Sequence, residues 1–326
     1  MDSSQKPQLD IMSLKAILND PTDHTLEDHN PGHDFEKCGA YKNERIYHWC
    51  GRLVNVLPFD DQEQDRQDFL HKVFSVAMRS NDLIHVPHPK NGRFLDLGCG
   101  TGIWAIDVAE KLPDALVVGV DIVPMQPINK PHNCQFYSPF DFELPWSLGE
   151  GTWDVIHLRM GCGAVVSWRS LYRMVLTHLR HGAWFEQIEI DFEPRYANCN
   201  VHFSALHCWY QSIKQATEKA MRPLAHHPRE TTSLLRESGF VDVSHHQIML
   251  PLGQWHQNLH ERQVGRWYGV GFSESIKPLS VAPFSRILGW EPDRIQRILG
   301  DTRLEACSRD IPNFHVLHIY RARRPF

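Results

Sequence analysis

From residue 93 onward, short runs that are apolar at almost every position alternate with segments whose apolar residues recur every three or four places. The runs are "RFLDLG", "ALVVGVD", "CQFYS", "WDVIHL" and "GAWFEQIEI"; the periodic segments between them include "IWAIDVAEKL" and "SLYRMVLTHL". Strands apolar on both faces and separated by helices predict a parallel sheet covered on both sides, a doubly wound α/β domain. After Arg195 the spacing predicts helices in "HFSALHCWYQSIKQATEKAM" and "RETTSLLRESGF", then a strand in "FVDVSHHQIMLPL". A helical stretch over about 255–310 follows, and "FHVLHIYRAR" ends the pattern with strand-type alternation. Upstream, Phe69, Leu70, Val73, Phe74, Val76 and Ala77 recur at helical spacing. The acids Asp60, Asp61, Glu63 and Asp65 before them suit a helix N-terminal turn. The division expected is an acidic, weakly ordered segment over 1–40, a helical cap over 41–90, and the α/β domain with its helical insertion over 91–326.

Composition narrows the class without naming a chemistry. The 326 residues are 42% hydrophobic and 22% charged, which is ordinary for a globular chain. No apolar run is long enough to span a bilayer, and "MDSSQKPQLDIMSLKA" lacks the apolar stretch of a secretory signal. The 8 Cys form no C-x-x-C pair, which suits reduced thiols in an intracellular setting. The 21 His show no metal-ligand spacing, so no metal site is expected. Eight acids against three lysines lie in the first 40 residues, and that difference equals the formal charge of −5 of the whole chain. The body is therefore neutral, which argues against direct nucleic-acid binding. The terminal "RARRPF" reads as a solvated basic tail.

The chemistry-bearing motif is Asp96-Leu97-Gly98-Cys99-Gly100-Thr101-Gly102, which follows an apolar strand and opens an amphipathic helix. Glycines there permit a tight turn and bring backbone N–H groups close to a ligand. The next strand ends at Asp121, 19 residues after Gly102, where an acid accepts the two hydroxyls of a ribose. A dinucleotide loop prefers G-x-G-x-x-G; here the order is G-x-G-x-G with Asp96 beside it. A carboxylate repels a pyrophosphate but suits a cation. S-adenosylmethionine presents a sulfonium, an ammonium and a ribose, so the loop reads as a methyl-donor site. In "QFYSPFDFELPW", Asp141 between Phe140 and Phe142 suits an adenine amino group with a ring packed on the base. An ordinary polar turn is the competing reading of that segment.

These residues resemble the class I S-adenosylmethionine-dependent methyltransferases. Over roughly residues 45 to 326, the longer runs "GRFLDLGCGTGIWAIDVAEKLPDALVVGVDIVPMQP", "WDVIHLRMGCG", "DDQEQDRQDFLHKVF" and "RWYGVGFSESIKPLSVAPFSR" are similar to the LaeA family of fungal regulators of secondary metabolism. The resemblance implies strand order 3-2-1-4-5-7-6, with the 41–90 cap over the cofactor site and the helical insertion before the last strand. It implies S-adenosylmethionine as cofactor and S-adenosylhomocysteine as product. Gly98, Gly100 and Gly102, flanked by Cys99 and Thr101, form the loop; Asp121 with Ile122 takes the ribose, and Asp141 the adenine. It also implies a protein of the nucleus, with the cytoplasm as a second location, acting with velvet-domain proteins on metabolite gene clusters and development. The methyl acceptor is left open. One departure is Arg180-His181-Gly182-Ala183, where many methyltransferases carry Pro-Gly-Gly.

A second triplet, Gly161-Cys162-Gly163, follows the strand expected to be fourth. Residues just past that strand end face the ligand crevice of an open α/β sheet, which places His157, Arg159, Met160 and Gly161 near the methyl group. Methyl transfer needs alignment, and a base only when the acceptor arrives protonated. His157 and His71 are the candidate bases, with a histidine hydrogen-bonded in the pocket wall as the competing reading; Glu186 and Glu189 are weaker candidates. Met160 carries an alkylatable thioether, or packs on the cofactor. Gly161 and Gly163 are expected to keep space open for an acceptor or a lid. Besides a regulatory methyltransferase, the chain is compatible with a cofactor-binding scaffold, a cluster enzyme methylating one small metabolite, or a nicotinamide dehydrogenase.

Overall fold

Seven strands form the central sheet. The computed structural model describes residues 39–42, 45–50, 53–79, 82–197 and 204–326, with side chains from Leu57 onward. The expected acidic segment over 1–40 lies almost wholly outside the described residues. The strands of the central sheet are β4 (Arg93–Leu97), β5 (Leu116–Val120), β6 (Cys134–Tyr137), β7 (Trp153–Arg159), β8 (Leu179–Tyr196), β9 (Val241–Pro251) and β10 (Asn313–Arg323). They lie in the order β6-β5-β4-β7-β8-β10-β9. Counted from β4, this is the 3-2-1-4-5-7-6 order that the resemblance implies. The sheet is mixed rather than all parallel. The strands β6, β5, β4, β7 and β8 run parallel, and β10 pairs antiparallel with both β8 and β9.

Strand alternation sends the side chains of β4 and β7 to opposite layers. Phe94 and Val155 meet Trp104, Ala105 and Val108 of helix α2 (Ile103–Lys111). Leu95, Leu97, Ile156 and Leu158 meet Leu171, Tyr172 and Val175 of α3 (Trp168–His178). Six positions of β4 and β7, Phe94, Leu95, Leu97, Trp153, Val155 and Ile156, are completely buried. A third layer covers the antiparallel end, where α4 (Ala205–Lys219) and α6 (Leu259–Ala282) pack on β8 and β10 around Trp209, Phe272 and Leu317. Helix α5 (Pro228–Glu237) precedes β9, and α7 (Pro292–Ala306) lies between α6 and β10.

The expected helical cap over 41–90 is corrected. Before helix α1 (Asp61–Ala77), the backbone forms a three-stranded antiparallel sheet of β1 (Gly39–Lys42), β2 (Arg45–Cys50) and β3 (Leu53–Pro58). The reason is local: "RIYHWC" and "LVNVLP" are rich in aromatic and β-branched residues. Helix α1 itself starts as its acids suggest, with the Asp60 carboxylate accepting from the Glu63 N–H at 3.1 Å.

The solvated-tail reading of the C-terminus is corrected too. Arg321 and Arg323 belong to β10, and the Arg324 guanidinium donates to the Thr177 carbonyl at 2.9 Å. The departing turn at Gly182 (φ 79°) is held by the same tail. Its N–H donates to the Arg324 carbonyl at 3.0 Å, and a Cβ there would lie 2.6 Å from the Phe326 ring. The turn therefore sits at the start of β8, away from the C-terminal strand ends. Among the described residues no helix is long and apolar enough to cross a membrane.

Candidate active site

The carboxyl ends of β4, β5 and β7 open onto a cavity of about 300 Å³. Its floor is the glycine loop. Gly98, Gly100 and Gly102 all take left-handed backbone (φ 67°, 56° and 80°), a conformation that costs other residues roughly 1–2 kcal/mol. The loop is fastened to β5, because the N–H groups of Gly98 and Cys99 donate to the Val120 carbonyl at 2.9 and 3.0 Å. Asp121 closes it from the far side: one carboxylate oxygen accepts from the Gly100 N–H at 2.8 Å, the other from the Val123 N–H at 2.9 Å. Burial pushes the Asp121 carboxyl up, and these backbone N–H groups pull it back.

Ten of the twelve residues expected to bind cofactor line this one cavity: Asp96, Gly98, Cys99, Gly100, Thr101, Asp121, Ile122, Phe140, Asp141 and Phe142. Thr101 Oγ1 donates to Asp68 of α1 at 2.6 Å, which ties the loop to the cap. Asp141 accepts from the Glu143 N–H at 2.9 Å, and the Phe142 ring lies beside Gly98, 3.3 Å from where a Cβ would be. Gly102 stands behind the cavity wall as the cap residue of α2. A Cβ there would meet the Phe136 ring at 2.4 Å, so glycine is required by packing as well as by φ.

The twelfth, His157, does not reach the cavity. It shares the α2 face of β7 with Val155, and its ring stacks on Trp104 with centroids 4.0 Å apart and planes 4° apart. It is 1% exposed, and burial holds it neutral by lowering its pKa well below the usual histidine value. Its Nδ1 donates to Glu186 at 3.0 Å, and the same carboxylate accepts from the His85 N–H at 2.7 Å. His157 and Glu186 are thus packed into the wall, and neither serves as a base. His71 lies outside the cavity lining as well; its ring joins Asp107 of α2 to Arg159 of β7.

The second triplet wraps a buried carboxylate. Glu189, fully buried on β8, accepts from the Gly161 N–H at 3.0 Å, the Cys162 N–H at 3.2 Å and the Gln187 amide at 3.0 Å. Burial raises its carboxyl to about 7. The expectation of open space at these glycines is corrected for Gly161, where a Cβ would sit 2.8 Å from the Trp168 ring and 3.0 Å from Leu158. Gly163 (φ 87°) donates to the Pro223 carbonyl at 2.9 Å. Between strand and triplet, Met160 holds φ 59° and lines the cavity together with Arg159, Gly161, Cys162 and Gly163.

Other parts of the wall come from far along the chain. Arg66 and Gln67 of α1, Phe192 of β8, Ile213 of α4, Arg222 and Leu224 beyond it, and Leu279 of α6 complete the lining. The Arg222 guanidinium pairs with Glu143 at 3.2 Å and donates to the Ala164 carbonyl, joining three wall segments. Arg222 carries no local signal in the sequence. The acidic-basic run containing Arg66 is part of the family resemblance, but no role attached to that residue.

A methyltransferase-domain family model matches residues 69–245, more than half of the chain. The secondary metabolism regulator LaeA of Monascus pilosus is 57% identical over 310 residues, 95% of this chain and 82% of that protein. This chain belongs to the LaeA family and carries its methyltransferase domain. The protein-methionine methyltransferase LaeA of Emericella nidulans is 55% identical over 284 residues, 87% of this chain and 76% of that protein. Among solved structures, a Haemonchus contortus phosphoethanolamine N-methyltransferase superposes with a TM-score of 0.51 at 12% identity. That match spans 86% of this chain and 62% of that one, and it shows the fold alone. The LaeA-family chain is thus a class I methyltransferase, and its glycine-loop cavity stands at the C-terminal strand ends where ligands of such sheets bind.

Proposed function

We propose that this protein is an S-adenosylmethionine-dependent methyltransferase that regulates fungal secondary-metabolite gene clusters and development in the nucleus, within a complex of velvet-domain proteins. The observation that carries the cofactor reading is the cavity floor. Two left-handed glycines of the loop, Gly98 and Gly100, and the acids Asp96, Asp121 and Asp141 meet in one cavity. That donor set rejects a pyrophosphate and suits a ribose, an adenine amino group and a cationic centre. Bound there, S-adenosylmethionine supplies a methyl group activated by its sulfonium. The chain's part is to hold the ribose with Asp121, pack Phe140 and Phe142 near the base, and exclude water with the apolar wall of Phe74, Phe192 and Leu279. Identity above half to curated secondary metabolism regulators supports the regulatory role; nuclear location and velvet partners rest on the family resemblance.

A thioether acceptor fits this site better than a protonated one. Both candidate histidine bases stand outside the cavity, and Glu189 is sealed behind the second triplet. A neutral methionine sulfur needs no base, because it attacks through a lone pair and loses no proton. The Emericella nidulans relative is named a protein-methionine methyltransferase, and Met160 lines this cavity, which makes the protein itself one acceptor to test. Incubation with S-adenosylmethionine should add one methyl mass, removed by Met160→Leu; no mass gain turns the reading toward an acceptor in trans. In a fungal host lacking the endogenous protein, Asp121→Ala should fail to restore metabolite-cluster expression. Full restoration by a variant that has lost the cofactor would replace the enzyme with a scaffold. Turnover of one defined metabolite by the purified protein would make it a cluster enzyme.

A further inference from the structure

Three arginines line the cavity, and two are already satisfied. Arg66 grips Glu63 with two nitrogens and donates to Ser275 at 3.0 Å. Arg222 holds Glu143 and the Ala164 carbonyl. Arg159, the last residue of β7, differs. Among the described residues its one hydrogen-bond partner is His71, at 3.1 Å from Nη1 to Nδ1, and it forms no ion pair. Its guanidinium lies 4.8 Å over the Phe74 ring, which fixes its plane but supplies no counter-charge.

The contact to His71 carries further information. A guanidinium only donates, so His71 Nδ1 must accept and its hydrogen must sit on Nε2. That hydrogen points to Asp107 Oδ2 at 2.9 Å. Asp107, His71 and Arg159 therefore form a directed chain across α2, α1 and β7. Asp96 pairs with His157 in the β4–β7 register, two residues before Arg159 and on the same face. A carboxyl and a guanidinium thus stand near each other at the end of the sheet without forming an ion pair.

We propose that Arg159 anchors a carboxylate inside the cavity, namely the α-carboxylate of the cofactor's amino-acid part, with His71 and Asp107 as positioning residues that aim the guanidinium. Asp96 then faces the ammonium of the same zwitterion, so each charge meets its opposite. This rests on the cofactor reading above and adds residues to it. It also gives His71 a task that its position outside the cavity denies it as a base.

The test compares two ligands that differ only in the amino-acid part, S-adenosylhomocysteine and 5′-methylthioadenosine, by calorimetry. Arg159→Gln should weaken S-adenosylhomocysteine by about tenfold or more, the scale of a lost charge-assisted contact. It should leave methylthioadenosine within about twofold of the unaltered protein. Unchanged binding of both ligands by the variant, or equal loss of both, overturns the proposal. If Arg159→Gln does not fold, His71→Leu decides, because it keeps the charge and removes only the aim. A several-fold loss confined to S-adenosylhomocysteine, recovered in His71→Asn, supports the positioning role; no selective loss refutes it. The cofactor reading fails separately, by the unaltered protein binding neither ligand.

Discussion

Alanine at three glycines separates backbone strain from steric clash, and the structure sets the order of the three costs. Gly151 takes φ 63° with nothing within 4 Å of an added Cβ, so it isolates strain. Left-handed backbone costs a non-glycine residue about 1–2 kcal/mol, and stiffening the unfolded chain returns about 0.4–1, leaving a net loss near 1 kcal/mol. Gly161 has no left-handed φ but meets Trp168 at 2.8 Å, Leu158 at 3.0 Å and Glu189 Oε1 at 3.2 Å. Overpacking of that kind costs about 1–3 kcal/mol; because Trp168 is only partly buried and yields somewhat, about 1–2 is expected. Gly102 combines φ 80° with a Phe136 contact at 2.4 Å, so about 2–4 kcal/mol is expected. At roughly 2–4 °C per kcal/mol for a domain of this size, the melting temperature should fall least in Gly151→Ala, more in Gly161→Ala and most in Gly102→Ala. Thermal unfolding followed by circular dichroism reads this order directly. A Gly102→Ala protein no less stable than Gly151→Ala would refute the reasoning, as would a Gly161→Ala protein of unaltered stability.

Further expectations concern charge and the buried histidine. His315 is fully buried and burial lowers it to about 3, so it gives stability that is complete above its unfolded value near 6.5 and is lost as pH falls toward 3. In His315→Gln the acid-side slope of the unfolding free energy should fall by about 1.4 kcal/mol per pH unit across that window; identical slopes would show that His315 titrates normally. Asp96 has the opposite sign. Burial raises it to about 8, so the stability of its neutral form is lost as pH climbs from the unfolded value near 3.8 through 8. Asp96→Asn should therefore raise the apo melting temperature at pH 7.5 while weakening S-adenosylhomocysteine, and a lower melting temperature would contradict the sign. His157→Ala should cost about 2–4 kcal/mol by leaving Trp104 without its stacking partner and Glu186 with only the His85 N–H of its two donors, yet keep methyl transfer per folded molecule; loss of turnover in the folded fraction would return His157 to the chemistry.

Much of the fold was legible because both periods were strong. The apolar runs became β4 through β8, and the loop between β4 and α2 needed glycine where it was read. The mixed direction of the sheet was not legible, since the side-chain pattern of a strand such as β10 does not say which way it runs. A helical cap over 41–90 fails at "RIYHWC" and "LVNVLP", where aromatic and β-branched residues favour strands. The residues expected to bind cofactor cluster because they fall on consecutive loops, whereas Arg222 and Leu279 reach the wall only through tertiary packing. His157 stands outside the cavity through its depth along β7 rather than through strand parity. Residues 155, 157 and 159 share one face of β7, and at 157 that face is still covered by Trp104. The second "GCG" differs from the open space expected there because the N–H groups of Gly161 and Cys162 hold the Glu189 carboxyl group, a partner far along the chain.

The central claim is that the glycine-loop cavity is the methyl-donor site, with Asp121 on the ribose. Titration calorimetry of S-adenosylhomocysteine into the full chain and into Asp121→Ala tests it most directly. One-site binding by the unaltered protein, reduced by about tenfold or more in the variant, is expected. Equal affinity in both proteins, or binding of a nicotinamide dinucleotide in place of S-adenosylhomocysteine, would contradict it.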